Sequence, residues 1–342
     1  MRMIPKKDSA IVCCRAVSMF MIVLCHIVGY YTFLPGHTVL GDILDVGVYT
    51  FLAISGYLYG GKNIQNLKTW FRKRCIAIFL PALLITVFVI TADFLAGKEN
   101  SWFSIMIYLL NLQGIGFLNP GFYRYFSEIQ VLGPLWFVTV IMLCYCMVPL
   151  LQHYRERIIC CKHGVLFVAV LAIISYALAT FQVINLFYFL TFFIGYILAA
   201  KKSLQPIRGR CFAAGTVLMF AAQICRLLLR SVCDGTPVYQ NYTLLSHMIL
   251  GIWIFGLFLF MRQVFPDLIN RVAENRITAA ANDISLYVYL THSCFCRGSL
   301  NMYQLFDNLF VATLTFAVTT LVASVMLQKI TAAVTSVWTR RT

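Results

Sequence analysis

The stretch CCRAVSMFMIVLCHIVGYY, residues 13–31, decides how the rest of the chain is read. It is long enough to cross a bilayer and almost wholly apolar, yet it carries Arg15 and His26. An ionisable side chain in hydrocarbon is costly, so its presence there is a hypothesis of function by default. Eleven helical residues return to within about 20° of the starting direction and rise about 16 Å. The spacing therefore predicts one helix with both side chains on one face, Arg15 near a membrane surface and His26 deep.

The remaining composition agrees. Of 342 residues, 61% are hydrophobic and 11% charged, with a mean hydropathy of +0.83. A soluble domain carries about 25% charged residues. The fold class expected is all-α, a polytopic membrane bundle forming one domain over residues 1–342. Ten spans are expected at 10–33, 41–60, 76–96, 132–151, 164–181, 183–200, 211–229, 243–261, 284–304 and 309–329, each near the ~20 residues a crossing needs. With both termini cytoplasmic, 21 of the 27 Lys and Arg fall in inner segments. Only Lys98, Arg124 and Arg230 then lie outside, which satisfies the positive-inside rule at every loop. The +15 net charge is accounted for in this way, and nucleic acid is not an expected partner.

Other chemistries lack their signatures. No cleavable signal peptide is expected, because the first apolar run is long and has no small-residue cleavage site before the next span. The thirteen cysteines include no CxxC pair. Cys160, Cys161 and His163 form a local Cys/His cluster without a CxxC pair, and no metal site is expected. Phosphate-binding glycine loops and the GxSxG elbow are missing. The longest segment between spans, 97–131, reads as an interfacial or re-entrant element rich in aromatics, since its apolar part is too short to cross.

The motifs, taken in chain order, resemble the acyltransferase-3 family of integral membrane acyltransferases. Arg15, ten residues and His26 open the set. GVYTFLAISGYLYGG closes its aromatic run on Ser55-Gly56, and NLKTWFRKRCIAIFLPAL carries Arg72, Lys73, Arg74 and Pro81. GPLWFVTVIMLCYCMVPLL holds Trp136 and Phe137, FFIGYIL holds Gly195-Tyr196, and DISLYVYLTH holds Ser285, Tyr287 and His292. The likeness runs over roughly residues 10 to 330. Two positions depart from the family pattern: Ile141 stands where many members have a glutamate, and Ile78 where many have an arginine.

The resemblance implies a membrane O-acyltransferase, most often of the bacterial plasma membrane. Its donor would be acetyl-CoA or another acyl-CoA rather than a permanently bound cofactor, and its acceptor a cell-surface glycan or lipid-linked sugar. Transfer to a hydroxyl needs a proton acceptor, and histidine suits that role. His26 is the residue expected to serve, with a covalent acyl-histidine as the variant mechanism. Coenzyme A carries phosphates that match arginine's planar donor fork, so Arg15, Arg72 and Arg74 are the donor-binding candidates. Ser55, Trp136, Tyr287 and His292 are expected in support of substrate or structure. Ser55-Gly56 is read as a close helix approach, and His292 as orienting the substrate or His26, or as a structural hydrogen bond between spans. Arg226 and Arg230 are read as snorkelling to headgroups, with an anionic acceptor as the alternative. A small-molecule permease is the competing function class, although the chain lacks the broken, repeated halves common in transporters. Oligomeric state is not legible.

Overall fold

The computed structural model describes residues 8–115, 118, 129–160, 164–179, 186–201 and 206–340, and among these every regular element is helical. The first helices are α1 (Ser9–Ile27), α2 (His37–Leu44), α3 (Gly47–Gly60), α4 (Leu67–Leu95) and α5 (Trp102–Leu109). Next come α6 (Trp136–His153), α7 (Arg155–Cys160), α8 (Gly164–Ala179), α9 (Leu186–Ala200) and α10 (Gly209–Cys233). The chain closes with α11 (Pro237–Val264), α12 (Pro266–Glu274), α13 (Arg276–Cys296), α14 (Met302–Leu305) and α15 (Leu309–Arg340). Seven helical segments are long and apolar enough to cross a membrane. The shorter apolar helices α8 and α9, together with α13, fall where the other three spans were expected. The protein is a multi-pass helical membrane bundle. Large apolar side chains on α10 and α15, among them Val217, Leu218, Phe310 and Leu314, point outward, as hydrocarbon-facing helices require.

The chain divides into two compact units. The first contains residues 1–25, 39–63 and 147–283. Its centre is the contact of α3 with α9, which glycine makes possible. A Cβ on Gly56 would run into the carbonyl oxygen of Phe192, and one on Gly195 into that of Ala53. Small residues at such positions let helix backbones approach closely, which is how helices without a hydrophobic driving force between them gain contact. The expected role of Ser55-Gly56 is thus what the backbone shows. Ala10, Ile11 and Cys14 of α1 pack with Ala53 and Ile54 of α3 and Phe255 and Leu259 of α11. The start of α1 is tied down by polar contacts as well: Ser9 Oγ donates to Asn270 Oδ1 at 2.7 Å, and Arg262 pairs with Asp8.

The second unit contains residues 26–38, 64–146 and 284–342. Asn66 caps α4 by accepting from the Thr69 amide at 2.9 Å. The segment after α4 is partly built in. Ser101 caps α5, whose Ser104, Ile107 and Tyr108 are buried while Trp102 stays 81% exposed. The turn that follows docks on α6, where Thr139 Oγ1 donates to the Asn111 carbonyl and accepts from the Gly114 amide at 3.1 Å. The rest of that expected interfacial element, residues 116–117 and 119–128, lies outside the described residues, as do Cys161 and His163. Helix α13 is pinned to α15 by the Thr291 and Ser324 hydroxyls, 2.8 Å apart.

Several helices outrun the expected spans, α4 beginning at Leu67, α11 at Pro237 and α15 ending at Arg340, and two further shifts bear on the site. The first span ends as a helix at Ile27, continuing as a 3-10 turn to Tyr30 rather than to residue 33. His26 therefore lies in the last turn of α1 instead of mid-helix. The ninth span, expected at 284–304, is a helix from Arg276 to Cys296. Gly298, at φ +70°, turns the backbone out of the right-handed region just after Arg297, which ends the helix early.

Gly56→Ala forces α3 off α9 and should destabilise the protein by roughly 2 kcal/mol or more. Gly256→Ala, where an added Cβ meets nothing within 4 Å, should leave it unchanged or slightly stabilised. Thermal unfolding of both variants in detergent checks the contrast.

Candidate active site

The end of α1, the end of α13 and the turns that follow them bring two of the expected residues together. The rings of His26 and His292 stack with centroids 5.0 Å apart and planes 24° from parallel. His292 is 0% exposed; His26 is half-buried. A residue not singled out from the sequence joins them: Arg297 Nη2 lies 3.3 Å from His26 Nδ1. Among the described residues no carboxylate pairs with Arg297.

Local chemistry holds this cluster in place. Tyr30, one turn beyond His26, donates its hydroxyl to the Cys296 carbonyl at 2.7 Å and accepts from Asn301 Nδ2 at 2.8 Å. Its ring stacks on Tyr303 with centroids 4.2 Å apart. Asn301 also caps α14 by accepting from the Tyr303 amide at 3.0 Å. On the other side, Tyr289 donates to the Pro134 carbonyl and lies edge-on to Phe137, with ring centroids 5.4 Å apart. Two motifs read separately in the sequence, GPLWF and LYVYLTH, thus meet beside His292.

The hydrogen-bond partners fix which nitrogens carry protons. Arginine has five N–H donors and no acceptor. His26 Nδ1 must therefore accept from Arg297, which makes the ring neutral with its proton on Nε2. The opposite holds for His292. Its Nδ1 lies 2.7 Å from the Tyr289 carbonyl and 3.2 Å from that of Val288. Carbonyls only accept, so Nδ1 is the protonated nitrogen and, in the neutral ring, Nε2 bears the lone pair. That Nε2 is buried and bonds to no described residue.

The other candidates sit elsewhere. Arg15 lies eleven residues before His26 on α1, half-buried in the first unit, and Ser55 lies in α3 beside the glycine contact. Arg72 is exposed and Arg74 half-buried in the second turn of α4. Trp136 begins α6, its ring 6.3 Å from that of Phe137. Tyr287 is half-buried in α13 and its carbonyl accepts from Thr291 Oγ1 at 2.9 Å.

Arg226 does not snorkel. It is 2% exposed, and its Nη1 donates to His247 Nε2 at 3.0 Å. His247 Nδ1 then faces Asp45 Oδ2 at 3.8 Å. Arg230 pairs with Asp42 at 3.0 Å. Arg230 thus meets Asp42 directly and Arg226 reaches Asp45 only through His247, and the group ties α10 and α11 to the turn between α2 and α3. An anionic acceptor would have to displace these carboxylates, so the geometry does not favour that alternative.

A family model for the acyltransferase domain, the third of that name, matches residues 8–328. No curated protein and no solved structure matches the chain.

Arg226→Met leaves the buried His247 Nε2 without its donor, and a loss of about 2 kcal/mol is expected. Asp42→Asn touches a pair that is partly open to solvent and should cost about 1 kcal/mol or less. The order of melting temperatures in detergent, Arg226→Met well below Asp42→Asn, is the check.

Proposed function

The chain belongs to the acyltransferase-3 family of membrane O-acyltransferases, and from that premise we propose that it moves an acyl group from cytosolic acyl-CoA to a glycan hydroxyl. Acetyl is the first acyl group to test. The acceptor in this reading is a cell-surface polysaccharide or its lipid-linked precursor, and the setting is a bacterial plasma membrane with both termini cytoplasmic. The observation that carries the proposal is the His26–His292–Arg297 cluster. Two imidazoles and a guanidinium, with no carboxylate partner among the described residues, are gathered near the ends of α1 and α13.

Such a group supplies what acyl transfer requires. Imidazole moves protons near neutral pH, and fixed donors stabilise the charge that develops on a thioester oxygen when the carbonyl is attacked. His26 is the half-exposed member and is the residue proposed to meet the reacting centre. Arg15, Arg72 and Arg74 are proposed as partners for the donor's phosphates, since arginine recognises phosphate through its planar fork. Arg15 is carried by the same helix as His26, and the other two by the start of α4. Ser55, Trp136 and Tyr287 are proposed to shape the bundle around the acyl chain and acceptor.

The test is transfer of labelled acetyl from acetyl-CoA into surface glycan, using membranes that carry the wild type or His26→Ala. Wild type should transfer, and His26→Ala should fall by roughly 10²–10⁴-fold while remaining monodisperse in detergent. Equal transfer in the two would remove His26 from the reaction. In a direct binding assay Arg15→Ala should hold acetyl-CoA about tenfold more weakly or worse, and unchanged binding would remove Arg15 from the donor site.

A further inference from the structure

We propose that the two histidines divide the work, with His292 as the proton acceptor and His26 as a hydrogen-bond donor to the thioester carbonyl. The proposal rests on the acyl-transfer reading above and on the hydrogen bonds already described. A general base needs a lone pair aimed at the hydroxyl. In His26 the Nδ1 lone pair is taken by Arg297, and Nε2 holds the ring proton. In His292 the helix's own carbonyls hold the proton on Nδ1, which leaves a lone pair on Nε2. Buried polar atoms almost always find a partner, and those that do not call for an explanation, a catalytic role being one. The His292 Nε2 is such an atom.

Burial suits this assignment. A base open to bulk solvent would activate water against the thioester as readily as it activates the acceptor. A base closed to solvent acts on the hydroxyl that enters beside the acyl group, directly or through one bridging water. Arg297 is a positioning residue here: by donating to Nδ1 it sets the His26 tautomer and keeps Nε2–H available.

The step balances. The acceptor oxygen bonds to the thioester carbonyl carbon while its proton passes to His292 Nε2. The charge that develops on the carbonyl oxygen is held by His26 Nε2–H. The adduct collapses, the carbon–sulfur bond breaks, and His292 returns its proton to the departing thiolate. The products are the O-acyl ester and free coenzyme A, with both rings neutral as at the start.

Two substitutions separate this from the converse assignment. His26→Gln replaces the ring with an amide that still donates N–H but cannot take up a proton at neutral pH. His292→Asn keeps a donor for the Tyr289 carbonyl and removes the basic nitrogen. Acetyl transfer is measured for both beside wild type and His26→Ala, with acetyl-CoA binding and detergent monodispersity recorded for each. His26→Gln should retain at least about tenfold more transfer than His26→Ala, because a fixed oxyanion donor contributes roughly 10²–10³-fold. His292→Asn should lose on the order of 10²-fold or more while still binding acetyl-CoA. Transfer by His26→Gln as low as by His26→Ala overturns the proposal, and so does a fully active His292→Asn. If His292→Asn is not monodisperse, the comparison of His26→Gln with His26→Ala decides alone. Absence of transfer in the wild type would instead count against the acyl-transfer reading itself.

Discussion

Hydrocarbon offers no hydrogen bonds, so every polar group set between these helices has to find its partner within the chain. Most do so locally. Ser18, Thr191, Ser324 and Thr331 each donate to the carbonyl one turn earlier in their own helix. The costlier groups find partners on other elements: Arg226 in His247, Arg230 in Asp42, Tyr30 in Cys296 and Asn301. The buried Nε2 of His292 is one of several buried polar atoms that bond to no described residue. It differs from the others in being an imidazole nitrogen stacked against a second imidazole.

The rule also separates two polar clusters that look alike in the sequence. Arg226 and His247 on one hand, and Arg297 and His26 on the other, are both arginine–histidine pairs in spanning regions. In the first, carboxylates balance the charge and the imidazole has a group at each nitrogen, Arg226 at Nε2 and Asp45 at Nδ1. That cluster fastens helices. In the second no carboxylate balances the guanidinium among the described residues, and the neighbouring imidazole keeps a free lone pair.

Much of this was legible before any coordinates. The fold class followed from composition, and the Arg15–His26 spacing and later motifs pointed to the family. The close approach at Ser55-Gly56 followed from small residues in an apolar run. What was not legible has physical causes. Hydropathy windows slide smoothly past Cys296, whereas the backbone turns sharply at Gly298, so the ninth span was placed eight residues too far along. Arg226 was assigned to headgroups because snorkelling needs only the local sequence, while its burial depends on Asp45 and His247, which are distant in sequence. Arg297 is not singled out by the sequence reading. Its signal was its position, five residues past His292 and next to a glycine that ends the helix. The division of protons between the two histidines has no sequence signature at all, because it is set by which atoms lie opposite each ring nitrogen.

The length of α1 has a consequence of its own. Its 19 residues rise about 28 Å, close to the hydrocarbon thickness of a typical bilayer. Arg15 stands in its second turn and His26 in its last. A helix with so little spare length couples the depth of its histidine to the thickness of the lipid around it. Helix α15, at 32 residues, rises about 48 Å and can absorb a thicker or thinner bilayer by tilting. Bilayer thickness therefore acts on this protein unevenly: it changes the tilt of α15 and the depth of the His26 cluster below the interface.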